Sequence, residues 1–241
     1  MARKPRSLER GLCHHVTVRC NNREFNLIKN ECRSLMVSAI AKAKAKFNFS
    51  IYALCIMSNH VHYLMEPANP SDLLAIMHAI NWYSAMCINR LLDRTGHFWE
   101  GRYHSVSFPR NDHQRVLNTL RYIHANPKAA GMRHGFAYAY SNWGIHDRLT
   151  DDGLTEWHTA FLGLAPTLDG CSLHYWRFCL MYRTKRKMRK KSPWGCRLLA
   201  GFPRGRQRSG SPHGQLSLFG DEERCQVSVP ASIRTFTAAN A

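Results

Sequence analysis

The chain has 241 residues, room for one well-cored domain with an appendage or for two small domains. Its 34 Lys and Arg against 16 Asp and Glu leave a formal charge of +18, far beyond what solubility requires, so the expected partner is a polyanion, nucleic acid before an anionic membrane surface. No run of 18 apolar residues is present and the N-terminal stretch lacks the apolar core of a signal peptide, which argues against membrane insertion and leads us to expect a cytoplasmic protein.

In chain order, a basic leader gives way to C-H-H-V-T-V-R, where Val16 and Val18 alternate with Thr17 and Arg19 as in a half-buried strand. Residues 25–46 place Leu27, Ile28, Leu35, Met36 and Ile40 at helical spacing, with Lys42, Lys44 and Lys46 toward the end that favours cations. Residues 50–57 and 60–65 read as two strands joined at the polar break Ser58 and Asn59, a hairpin closed by Pro67. A second amphipathic helix spans residues 72–92, after Pro70 and Ser71 and before Gly96, and a fourth strand covers residues 102–108. The next helix has Asp112 as its N-cap, an apolar stripe of Val116, Leu117, Leu120 and Ile123, and a stop at Pro127. This βαββαβ order followed by a helix predicts an α+β fold: one antiparallel sheet with helices on one face, the other face free for a site.

Past about residue 148 the patterning weakens, although Trp143, Trp157, Tyr175 and Trp176 predict packed or helical structure to about Tyr182. Residues 170–220 hold 12 Lys or Arg and no acidic residue, so most of the net charge sits in a basic C-terminal extension rich in Gly, Ser and Pro near its end. We therefore expect a catalytic domain in residues 1–150 and, in residues 151–241, a basic, partly disordered extension that contacts DNA. Nine cysteines without any C-x-x-C pair read as free thiols in a reducing compartment rather than a zinc knuckle.

His60 and His62 are two apart on a predicted strand, so both imidazoles leave the same face at neighbouring heights and can chelate one divalent ion while leaving positions open for a substrate. In a chain with 14 histidines, a bare H-x-H is more often incidental. Tyr122 falls on the polar face of its helix together with Arg115, Asn118 and Asn126, and Asn126 follows one turn later, where its oxygen could be a third, neutral ligand beside the phenol. Taken alone, a helix-boundary Tyr and an Asn before Pro are unremarkable. Tyr103 is a rival nucleophile, but it lies on a strand with no ligand one helical turn away.

The strand M-S-N-H-V-H-Y-L-M, the intervening G-H-F-W-E-G-R-Y-H-S-V and the helix L-R-Y-I-H-A-N-P, with C-N-N-R-E-F before them, together resemble the single-tyrosine HUH transposases, and most of all their REP-associated (RAYT) branch, over residues 10–145. The resemblance implies a ferredoxin-like topology, Mg²⁺ or Mn²⁺ as cofactor, His60, His62 and Asn126 as its ligands, and Tyr122 as the nucleophile that forms a 5′-phosphotyrosine and frees a 3′-hydroxyl. It also implies single-stranded DNA, folded as palindromic repeat hairpins, as the partner of a monomer or homodimer in a bacterial nucleoid. Arg19, Arg23, Trp99, Arg102, Tyr103, Arg115, Arg186 and Arg189 are candidate DNA contacts, with Trp176 and Trp194 available to stack on bases. Two alternatives stay open: a catalytically inactive, repeat-binding regulator derived from a transposase, and a hydrolytic metalloenzyme with no nucleic-acid role, which leaves the charge unexplained.

Overall fold

The computed structural model describes residues 9–183. Strand β1 (Leu12–Arg19), helix α1 (Asn30–Lys46), strands β2 (Phe49–Ile56) and β3 (His60–Pro67), helix α2 (Leu73–Leu91) and strand β4 (His104–Pro109) reproduce the βαββαβ order. The four strands are antiparallel in the order β2-β3-β1-β4, the ferredoxin-like arrangement. Helices α1 and α2 pack against each other and cover one face. They bury Met36, Val37 and Ile40 from α1 and Ile76, Met77 and Ile80 from α2, while Val16, Val18, Val61, Tyr63 and Met65 are buried in the sheet. Alternation then commits the residues between these to the opposite face, and the cross-strand partners Thr17 and His62, Arg19 and His60, and Thr17 and His104 share it.

Helix α1 begins at Asn30, five residues later than the apolar spacing suggests. Residues 20–27 spend their backbone groups elsewhere: Cys20 and Leu27 donate to the carbonyls of Asn59 and Ser58, and Asn59 Nδ2 donates to Arg23 O. Asn22 and Arg23 adopt φ of 51° and 58°, left-handed values that no helix tolerates.

The second face is not left wholly open. Helix α3 (His113–His124) packs over β2 and β3, capped by Asp112, whose carboxylate accepts from Arg115 N at 3.1 Å. Pro127 does not end this helix. The chain closes α3 at His124 and starts the short helix α4 (Asn126–Ala129), with Pro127 in its first turn, where a missing N–H costs no hydrogen bond. Helices α5 (Trp143–Asp147), α6 (Thr159–Leu162) and α7 (Leu168–Leu180) continue the folded body past residue 150.

This later segment covers the edge of the sheet and supports α3. Ile56 N donates to Tyr140 O, Asn142 N donates to Leu54 O, and the Asn142 side chain accepts from Leu54 N and donates to Tyr52 O, so the outer edge of β2 is paired rather than exposed. Tyr175 of α7 meets His124 of α3 at 2.9 Å, and the Arg121 guanidinium lies 3.8 Å over the Phe178 ring. All seven cysteines among the described residues are free thiols, and no helix there is long and apolar enough to cross a membrane.

Candidate active site

The hairpin between β2 and β3 delivers His60 and His62 to the second face of the sheet, their ring centroids 4.8 Å apart. Each has its Nδ1 engaged. His60 Nδ1 lies 2.7 Å from Asn59 Oδ1, which can only accept, so the proton sits on Nδ1 and Nε2 keeps its lone pair. His62 Nδ1 lies 3.1 Å from Thr17 Oγ1 and 3.2 Å from His15 Nε2; donating its proton to either leaves the same free Nε2. This is the outer support that metal-binding imidazoles normally have.

Electrostatics keep the cluster neutral. Burial and then the nearby Arg19 hold His60 down at about 4. Burial, reinforced by His60, His15 and Arg19, depresses His62 well below its ordinary value. Burial and His104 bring His15 to about 4. At neutral pH all three are uncharged imidazoles, the form that ligates a divalent ion.

Tyr122 projects from α3 toward these rings. It stands edge-on to His62 at 5.8 Å and to His15 at 5.5 Å, yet keeps 46 % of its surface exposed. A groove of about 520 Å³ runs beside it, lined by His15, Arg115, Asn118 and Tyr122 among others, so the phenol faces space a substrate can enter. Asn126 is held one turn on by its amide nitrogen, which donates to the carbonyls of Tyr122 at 2.9 Å and Ile123 at 3.3 Å; its Oδ1 keeps its acceptor capacity. No hydrogen bond or ring contact joins Asn126 to the imidazoles. Tyr103, by contrast, is only 6 % exposed.

Two members of this cluster, His15 and Thr17, were not singled out from the sequence. The signal was available. In a βαββαβ sheet of this topology the first strand lies beside the third, so the residues of C-H-H-V-T-V-R that point away from the core must flank the H-x-H pair.

A second group of metal-ligand types, Cys13, Glu66 and His158, lies farther along the same strands. It is poorly suited to an ion. His158 Nδ1 accepts the Ala160 N–H at 2.9 Å, which puts the ring proton on Nε2, the atom 3.8 Å from Cys13 Sγ. Burial pushes the Cys13 thiol up to about 12, and Glu66 is already engaged by Tyr52 at 2.7 Å and Arg110 at 3.2 Å. These three groups satisfy one another as a polar plug.

Of the candidate DNA contacts, Arg19, Arg23, Arg102 and Arg115 are exposed. Trp99 and Tyr103 are packed instead, at 8 % and 6 % exposure, and the Trp99 indole donates to Asn81 O and Ser84 Oγ. Both are corrected from surface contacts to parts of the wall that shapes the neighbouring surface. Trp176 is 42 % exposed on α7, whereas Arg186, Arg189 and Trp194, with the rest of the basic extension, lie outside the described residues.

Residues 10–126 match the family described as "Transposase IS200 like". No curated protein matches the chain. Among solved structures, a REP-associated tyrosine transposase bound to a REP hairpin superposes with a TM-score of 0.52 at 20 % identity, covering 65 % of this chain and 89 % of that one, a likeness of fold. A Deinococcus radiodurans chain named as a transposase covers 51 % of this chain and 95 % of its own length at 18 % identity, with a TM-score of 0.34, too low to carry an argument.

Proposed function

Since the catalytic segment, residues 10–126, belongs to the IS200-like transposase family, we propose that this protein is a metal-dependent nuclease and strand transferase that cuts and rejoins single-stranded DNA through Tyr122. The observation that carries this reading is the convergence of Tyr122, from a helix, with His62 and His60, from a strand, at ring distances of 5.8 Å and 4.8 Å along the chain of contacts. Nothing in packing alone requires a half-exposed phenol to stand over two neutral imidazoles with spare lone pairs.

His60 and His62 fit a divalent ion through Nε2, with Asn126 Oδ1 within the same helix turn as Tyr122, and Mg²⁺ or Mn²⁺ is the class that tolerates such mixed N and O ligation with open positions. Bound there, the ion would supply Lewis-acid neutralisation of the scissile phosphate. The chain itself does the rest. Tyr122 Oη attacks phosphorus, the bond from phosphorus to the 3′-oxygen breaks, and that oxygen leaves with a proton as a free 3′-hydroxyl while the 5′-phosphate stays on the tyrosine. A 3′-hydroxyl from another strand reverses the step without ATP, because the covalent link conserves the phosphodiester bond. Arg115 and Asn118 line the groove where the flanking backbone would run, and His15 and Thr17 hold His62 in orientation.

The likeness to a hairpin-bound relative makes a folded single strand the substrate to try first. His15, His60, His62, Tyr122 and Asn126 all come from one chain, so a monomer is sufficient for the chemistry. The test is incubation of the purified protein with Mn²⁺ and a labelled single-stranded hairpin. A covalent protein–DNA adduct is expected, absent with Tyr122→Phe and with chelator. Tight hairpin binding with no adduct under any metal would instead identify a repeat-binding regulator.

A further inference from the structure

On the far side of the sheet's end from Tyr122, α2 and the segment 96–103 enclose a pocket of about 560 Å³, large enough for a nucleotide. The segment is anchored where β1 leaves the active-site face: Asn21 N donates to Phe98 O, Cys20 bridges to Trp99, and Glu100 N donates to Arg19 O. Arg19 is in turn the cross-strand partner of His60. The pocket and the imidazole pair are therefore joined by one short stretch of β1. Gly101, at φ +58°, lets the segment turn there without a side chain in the way.

The walls are chemically distinctive. Trp82 lies along one side with 58 % of its surface exposed, unusual for an indole that no partner covers. None of the fourteen lining residues is acidic, while His78, His97 and Arg102 are exposed there. Asn81 Oδ1, also in the lining, is shut off from solvent with no hydrogen-bond partner, an acceptor whose burial is unfavourable until a donor reaches it. An exposed aromatic plane, a cationic rim and an unsatisfied acceptor suit an unpaired base on a phosphate backbone better than an apolar protein segment.

We propose that this pocket takes an unpaired nucleobase of the single strand that flanks the hairpin, stacked on Trp82 and read at its edge by Asn81. The proposal rests on the DNA-processing reading above. It makes Trp82 an affinity residue and Asn81 a specificity residue, neither part of the catalytic set.

The experiment measures fluorescence-anisotropy affinities of the full chain, wild type, Trp82→Ala, Trp82→Phe and Asn81→Ala, for two labelled probes: a hairpin with a single-stranded flank and the same hairpin without it. Adduct formation is followed in parallel. Trp82→Ala is expected to weaken the flanked probe about tenfold or more and leave the flankless one unchanged, Trp82→Phe to recover most of the loss, and Asn81→Ala to flatten preference among the four flanking bases. Equal losses on both probes, or none on the flanked probe, overturn the pocket assignment even where the Tyr122 adduct forms normally. A failure of adduct formation in the wild type, with the flank-dependent loss intact, would sink the catalytic reading and keep the pocket. Loss of a dimer in sedimentation with Trp82→Ala, at unchanged DNA affinity, would overturn the proposal in favour of a self-association surface.

Discussion

Helix α3 carries two histidine–tyrosine clusters built from the same residue types, and they behave as opposites. On one side Tyr122 faces His62 and His15 with 46 % of its surface exposed. Two residues on, His124 is fully buried against Tyr175, Asn142 and His146. In the second cluster both ring nitrogens of His124 are engaged, Nδ1 by Tyr175 at 2.9 Å and Nε2 by Asn142 at 2.8 Å, so it has no lone pair to offer. In the first, His60 and His62 each use only Nδ1. What distinguishes a reactive site from a structural knot here is spare coordination capacity facing solvent, not composition.

The largest test of that contrast exchanges the tyrosines. Tyr122→Phe is expected to abolish the covalent adduct, a loss of at least about 10³-fold in single-turnover cleavage, while leaving the urea midpoint within ~0.5 kcal/mol of wild type, because an exposed hydroxyl contributes little to folding. Tyr175→Phe is expected to do the reverse: adduct chemistry survives per folded molecule, but stability falls by about 1–3 kcal/mol as His124 loses a buried partner. Equal behaviour of the two variants in both assays would erase the distinction.

Next in size is His124→Ala, which removes a ring from the α3–α7 joint and strands the Asn142 side chain that also holds the edge of β2. A loss of about 2–4 kcal/mol in urea unfolding is expected, without a change in Mn²⁺ affinity measured by calorimetry. A pH dependence accompanies it. Burial lowers His124 to about 4, with the Asn142 hydrogen bond opposing, against an ordinary value of 6.5. Between those limits the unfolded chain binds the proton and the folded one does not, so stability is complete above about 6.5 and falls as pH drops toward 4. His15, His60 and His158 shift the same way and add to the slope. Urea midpoints that rise on acidification from pH 7 to pH 5 would contradict this sign.

The sequence carried the reactive cluster further than the structural one, for a physical reason. H-x-H on a strand and Tyr122 one turn before Asn126 are local patterns, set by the periods of strand and helix, and the element order brings them together. Asn142, His146 and Tyr175 show no such period. Their meaning lies in contacts with Leu54, Tyr52 and His124, far away in the chain, and in the sealing of an edge strand that no local pattern announces. Pro127 misled for a related reason: a proline excludes helix only behind it, and here it opens a new turn instead. The buried Trp99 shows the converse error, since an aromatic in a basic segment looks the same in sequence whether it meets a base or, as it does, Asn81 O and Ser84 Oγ.

The smallest effect is the most discriminating, because it probes orientation alone. Thr17→Val keeps the shape of the side chain and removes the hydroxyl 3.1 Å from His62 Nδ1. If the hydroxyl holds the His62 ring in the orientation and tautomer that free Nε2, its loss should weaken Mn²⁺ binding about 10- to 100-fold and raise the metal concentration needed for adduct formation in step. His15 Nε2, 3.2 Å from the same nitrogen, can take over part of the task, so Thr17→Val with His15→Phe should lose more than the two single changes combined. The corresponding change in the buried cluster, Asn142→Leu, should leave metal binding alone and cost stability instead. Metal affinity that is indifferent to Thr17 and His15 would mean that the imidazole pair is held by packing rather than by its hydrogen-bond partners, and the two faces of α3 would then differ only in exposure.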